Sequence, residues 1–113
     1  MVDVNKIIRE ILETLEGVKV TFYHPKQFNT LPVISYYELT TTTGLCYDNE
    51  EQAQRSDVEI DIWGKSGGEC ARIAVQADKA MQKYGWYREM SRDMPPEGNI
   101  NHKTMRFSKE IFK

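Results

Sequence analysis

Asp57, Glu59 and Asp61 place a carboxylate at every second residue. On an extended strand this spacing puts all three on one face, about 7 Å between neighbours. Such a row of hard oxygen ligands is what a single Mg²⁺ or Mn²⁺ would use. The other candidate ligands are scattered: His24, Cys46, Cys70 and His102 show none of the close pairing that zinc sites carry. A Cys–His nucleophilic pair would need distant residues to meet, and no local motif supports one. Gly67-Gly68 ahead of a helix belongs to neither a P-loop nor a dinucleotide fingerprint. No metal, cofactor or catalytic residue is expected.

The run Glu59-Ile60-Asp61-Ile62-Trp63-Gly64-Lys65 bears a loose likeness to the acidic-x-lysine strand of metal-dependent nucleases. In that pattern lysine follows the acid by two residues, whereas Lys65 lies four after Asp61. No upstream Pro-Asp pair is present either. The row therefore reads as a solvated or intersubunit strand face. A metal-dependent nuclease using Asp57, Glu59 and Asp61 is the alternative, and a small cellular α+β binding module is a third reading. Trp63 projects with the acids, and tryptophan and tyrosine are enriched at the energetic centres of protein interfaces.

The elements that must carry these residues follow from periodicity. Val4, Ile7, Ile8, Ile11, Leu12 and Leu15 form one stripe at 100° per residue, with Asp3 as cap and Gly17 as left-handed terminator. Val18, Val20 and Phe22 alternate as a strand that His24-Pro25 stops. A second strand spans Val33 to Leu39, extendable through the threonines to Thr43. Gly44 to Gln54 reads as a polar loop or hairpin tip. Val58, Ile60 and Ile62 alternate against the acids in the strand from Ser56 to Trp63.

Ser66-Gly67-Gly68-Glu69 has capping-box spacing. It opens a helix whose Cys70, Ile73, Ala74, Ala77, Ala80, Met81 and Tyr84 share a face up to Gly85. Trp86 to Met90 reads as a short strand in which only one of Trp86 and Tyr87 can face the core. A loop containing Pro95-Pro96 follows, then a final strand within Ile100 to Phe112. The order α-β-β-β-α-β-β predicts a single α+β domain over residues 1–113. It is a two-layer sandwich, two helices on a mostly antiparallel sheet.

At 113 residues, 28% charged and 40% apolar, the chain is long enough for a thin core and is not of disordered composition. A formal charge of −2 lowers the expectation of nucleic-acid binding, which usually needs a basic excess. No apolar run approaches the roughly 20 residues of a membrane helix, and the charged opening residues do not read as a signal peptide. The two cysteines are expected as reduced thiols.

Taken along nearly its whole length, the chain resembles the tail completion proteins of long-tailed bacteriophages and prophages, also called tail terminator or head–tail joining proteins. The resemblance rests on the opening Ile/Leu helix, Leu31-Pro32-Val33-Ile34 at an early strand, and the polar segment after it. Its centre is Val58-Glu59-Ile60-Asp61-Ile62-Trp63-Gly64-Lys65-Ser66 running into an alanine-rich helix, with a short aromatic strand and a basic-aromatic closing strand. It implies an α+β fold, no catalysis, and self-association into a ring, commonly hexameric, at the head-proximal end of the tail. The implied partners are the tail tube protein and head connector proteins, in the virion and, during assembly, in the host bacterial cytoplasm. Neither a membrane nor sequence-specific nucleic acid is among them. The residues expected at the assembly interface are Leu45, Tyr47, Asp57, Glu59, Asp61 and Trp63.

Overall fold

The periodicities mature into two helices and five strands in a computed structural model, which describes residues 1–47 and 50–112 and, within them, side chains outside positions 44–52. The elements are α1 (Val4–Leu12), β1 (Lys19–Phe22), β2 (Val33–Tyr47), β3 (Glu50–Gly64), α2 (Gly67–Lys83), β4 (Tyr87–Glu97) and β5 (Ile100–Phe112). This is the expected α+β order. The strands form one sheet in the order β1-β2-β3-β5-β4. β1 runs parallel to β2, and every other pair is antiparallel.

Both helices lie on one face of the sheet. Ile34 and Tyr36 of β2, Val58, Ile60 and Ile62 of β3, and Met105 and Phe107 of β5 meet Val4, Ile8, Ile11 and Leu12 of α1. Cys70, Ile73, Ala74, Ala77 and Met81 of α2 complete that core with Trp86. The small residues of α2 let its axis come close to the sheet. Trp86 is buried while Tyr87 is 70% exposed, as strand alternation requires.

The caps follow from single residues. Asp3 Oδ1 accepts from Lys6 N, and Ser66 Oγ accepts from Glu69 N at 3.1 Å. Glu69 Oε1 reaches back to Lys65 N at 2.9 Å, one residue beyond the expected box partner. At the other end of α2, Trp86 N donates to Met81 O and Gly85 N to Gln82 O, with Gly85 at φ +86°. That pairing is a Schellman terminus, and the positive φ is what selects glycine there.

Four expectations change. α1 ends at Leu12 rather than near Gly17, because Thr14 N and Thr14 Oγ1 both take the Ile11 carbonyl and tighten the chain out of the helix. The expected loop from Gly44 to Gln54 is instead the continuation of β2 to Tyr47 and of β3 from Glu50. Residues 48 and 49 lie outside the described part. Backbone ladders need no apolar side chains, so a polar stretch pairs where both neighbours are already in register.

β4 runs on through Pro95-Pro96 because it is an edge strand, where a missing N–H faces solvent; the register shifts between Met94 and Glu97. Tyr84, expected on the buried face of α2, is half exposed in the C-cap.

Candidate functional site

β3 is the third of the five strands from either edge, so its odd-numbered side chains occupy the middle of the face that carries no helix. Register places three rows across it. Val33, Trp63, His102 and Met94 form one row, and Ser35, Asp61, Thr104 and Arg92 form the next. Tyr37, Glu59, Arg106 and Met90 form the third. All of these but Val33 and Ser35, together with Tyr23 and His24, line a groove of about 400 Å³.

Trp63 is not an exposed residue; it retains 4% of its surface. The cause is the parallel pairing of β1 and β2, which obliges residues 23–32 to cross back over the sheet. This crossover lays His24 and Phe28 on Trp63, with ring centroids at 5.2 and 5.0 Å. His102 stacks on the indole at 3.7 Å with a 12° interplanar angle. Trp63 Nε1 donates to the buried Ser35 Oγ at 3.3 Å. Tyr23, in the left-handed region at φ +70°, turns the chain out of β1 and sets its ring 4.8 Å from Tyr37.

The acidic row is likewise not a solvated face. Asp61 is 7% exposed and Oδ1 accepts from His102 Nε2 at 2.8 Å. Glu59 Oε2 accepts from the Tyr37 hydroxyl at 2.8 Å, and Oε1 pairs with Arg106 Nε at 3.4 Å. Asp57 is half-buried and accepts from Thr40 Oγ1 at 3.0 Å, with Arg55 Nη2 at 3.5 Å. Two flanking strands, invisible as neighbours in the sequence, supply all of these partners but Arg55, which lies on β3 itself.

Burial pushes the Glu59 carboxyl above its ordinary value, and the neighbouring Asp61 carboxyl pushes the same way. Tyr37 and Arg106 oppose them. Burial, then the hydrogen bond to Glu59, raises the Tyr37 hydroxyl to about 12, which keeps it a donor through neutral pH. In the floor of the groove Thr104 is 5% exposed and its Oγ1 has no partner among the described residues.

Of the residues expected at an interface, the structure brings together Asp57, Glu59, Asp61 and Trp63 on this face. Leu45 and Tyr47 are placed in β2 by backbone alone, and their side chains lie outside the described residues. The sequence reading missed Tyr37, His102, Thr104 and Arg106. The signal was present, since Met105 and Phe107 alternate with Thr104 and Arg106, but only strand order shows that β5 lies beside β3.

Among the described residues no three His, Cys, Asp or Glu side chains converge in a way that holds a metal ion. Each carboxylate of the row is bonded to a different neighbour instead. What the arrangement does chemically is to hold a face in one shape through paired polar side chains and stacked rings. No protein-family model matches the chain, and no curated protein matches it either.

Proposed function

We propose that this protein is a structural assembly protein of a long-tailed phage or prophage particle. Copies associate into a ring at the head-proximal end of the tail, which completes the tail and joins it to the head. The observation that carries the reading is the outline of the molecule: a helix-backed sheet with one helix-free, shape-held face and a long β2–β3 hairpin. That outline fits a subunit that meets several neighbours at once, and the resemblance in sequence order supports the same conclusion.

The helix-free face favours a binding role over turnover, because its acids and rings are engaged with one another. Tail tube and head connector proteins are the proposed partners above and below the ring. The test is deletion of the gene, followed by electron microscopy of the particles. Free tails of abnormal length, or heads and tails that fail to join, are the expected outcomes. Normal infectious particles made without the protein would overturn the reading.

A further inference from the structure

The sheet has edges of very different character. β1 is short and covers β2 only over Val33–Tyr36, its last bond being Tyr23 N to Tyr36 O at 2.8 Å. Asn5 Oδ1 then accepts from Glu38 N at 3.0 Å. Beyond that point β2 has β3 on one side and, among the described residues, no hydrogen-bonding partner on the other. The stretch Thr40–Thr43 is regular in register, bounded by shifts at Leu39 and Gly44.

Natural proteins blunt such an edge with charge, proline or a very short strand. Thr40, Thr41, Thr42 and Thr43 carry none of these and are guarded only at their ends, by the register shifts at Leu39 and Gly44; all four are β-formers. Two buried side-chain oxygens near this edge, Glu38 Oε2 and Thr41 Oγ1, also lack partners. A β-forming edge with free backbone groups is a ready template for pairing with another chain.

β4 forms the opposite edge. It is guarded at its ends by a register shift at Glu89 and by Pro95-Pro96, and within the run by the opposite charges of Arg92 and Asp93. Between them Met90–Met94 runs in unbroken register with His102–Arg106. The free run on β4 is therefore close in length to the free run on β2. Pairing of β2 with β2 in a second copy would be isologous and would stop at two, whereas a ring needs unlike surfaces that meet head to tail.

We propose that Thr40–Thr43 of β2 in one copy pairs with Met90–Met94 of β4 in the next, so that the sheet continues from subunit to subunit. The proposal rests on the ring reading above and names its contact. Within one chain β4 already runs antiparallel to β2, because β2–β3, β3–β5 and β5–β4 are each antiparallel. A neighbour related by rotation about an axis along the strands keeps that sense, so the new pair is antiparallel. All helix layers then lie on one side of the ring wall, and all the helix-free faces carrying Glu59, Asp61 and Trp63 lie on the other. So short a contact is weak for an isolated pair and gains its strength from closure of the ring.

The test combines sedimentation of the full chain, from micromolar to millimolar concentration, with amide hydrogen exchange at both ends of that range. Association on concentration is expected, with amides of both Thr40–Thr43 and Met90–Met94 gaining roughly tenfold protection or more. Thr43→Lys, which adds the kind of guard the edge lacks, should move association to roughly tenfold higher concentration or beyond while leaving thermal unfolding unchanged. Thr43→Val should associate like the parent. Thr43→Lys keeps its β4 edge, so added to the parent it should cap growing assemblies and shorten them.

Assemblies in which neither segment gains protection, or in which Thr43→Lys behaves like the parent, would overturn edge pairing and leave the ring reading standing. Protection of the β2 segment alone would mean β2–β2 dimers and would also overturn it. A parent chain that stays monomeric at millimolar concentration would overturn both.

Discussion

Glu59 and Asp61 sit two residues apart on a face that the crossover and neighbouring strands have partly removed from water. Burial penalises the Glu59 carboxylate first, and the nearby Asp61 adds to the penalty. The folded chain consequently holds the Glu59 proton more tightly than the unfolded chain does. The stability that this gives is complete below the ordinary carboxyl value of 4.5 and is lost as pH rises through the raised folded value. Glu59→Gln, which can still accept from Tyr37, should flatten the fall in stability from pH 4.5 toward neutrality. Urea unfolding at a series of pH values checks this, and an unchanged slope would assign the effect elsewhere. Asp61→Ala leaves the part-buried His102 Nε2 without its acceptor and loosens the stack on Trp63. It should cost about 1 kcal/mol, the net worth of a hydrogen bond that is partly shielded from water. Thr104→Val removes a buried hydroxyl that has no partner. A neutral to slightly stabilising change is expected, within about 1 kcal/mol, and a loss larger than that would reveal a bond the hydroxyl makes.

At the scale of elements, β3 positions the candidate face and α2 fixes what lies behind it. Gly64 joins the two, and a Cβ there would meet Cys70 Sγ at 2.9 Å and Glu69 Oε1 at 3.0 Å. Cys70 is buried on the sheet-facing side of α2, so that contact cannot open without moving the helix from the sheet. Gly64→Ala should therefore destabilise by about 1–3 kcal/mol, as overpacking does. Ser66→Ala removes the N-cap acceptor for Glu69 N and should cost about 1 kcal/mol. The two changes are distinguishable by thermal unfolding. The serine variant keeps its packing, whereas the glycine variant should also shift the near-ultraviolet signal of the aromatic rings.

For the whole molecule, shape matters more than size. The long axis of 53 Å is about the length of a 15-residue strand, which is the length of both β2 and β3. A radius of gyration of 14.9 Å exceeds the roughly 13 Å of a compact chain of this length. The surface of 6905 Å² is likewise larger than the roughly 6,400 Å² that its mass implies. An elongated subunit with no broad apolar face among its described residues should associate only weakly when isolated, because obligate oligomers usually bury a large apolar surface. Light scattering at micromolar concentration should report mostly monomer, and a stable hexamer at nanomolar concentration would contradict this. Calorimetry with Mg²⁺ or Mn²⁺ should find no site below millimolar affinity. A micromolar site, with cleavage of DNA or RNA lost in Asp61→Asn, would turn the reading toward a nuclease.

Local information was enough to set the element order, both helix faces, the cap at Ser66, the glycine stop at Gly85 and the inward row Val58, Ile60 and Ile62. Each depends on residues within a few positions of one another, where periodicity and capping act. The same alternation put Asp57, Glu59, Asp61 and Trp63 on a common face. Whether that face was wet depended on partners 22 to 41 residues away in the chain, Tyr37 on Glu59 and His102 on Asp61. Strand order and the parallel β1–β2 pair decided it, by setting β5 beside β3 and sending the crossover over Trp63. The extent of the long strands was decided the same way, because a ladder continues wherever a paired neighbour offers its backbone, whatever the side chains along it.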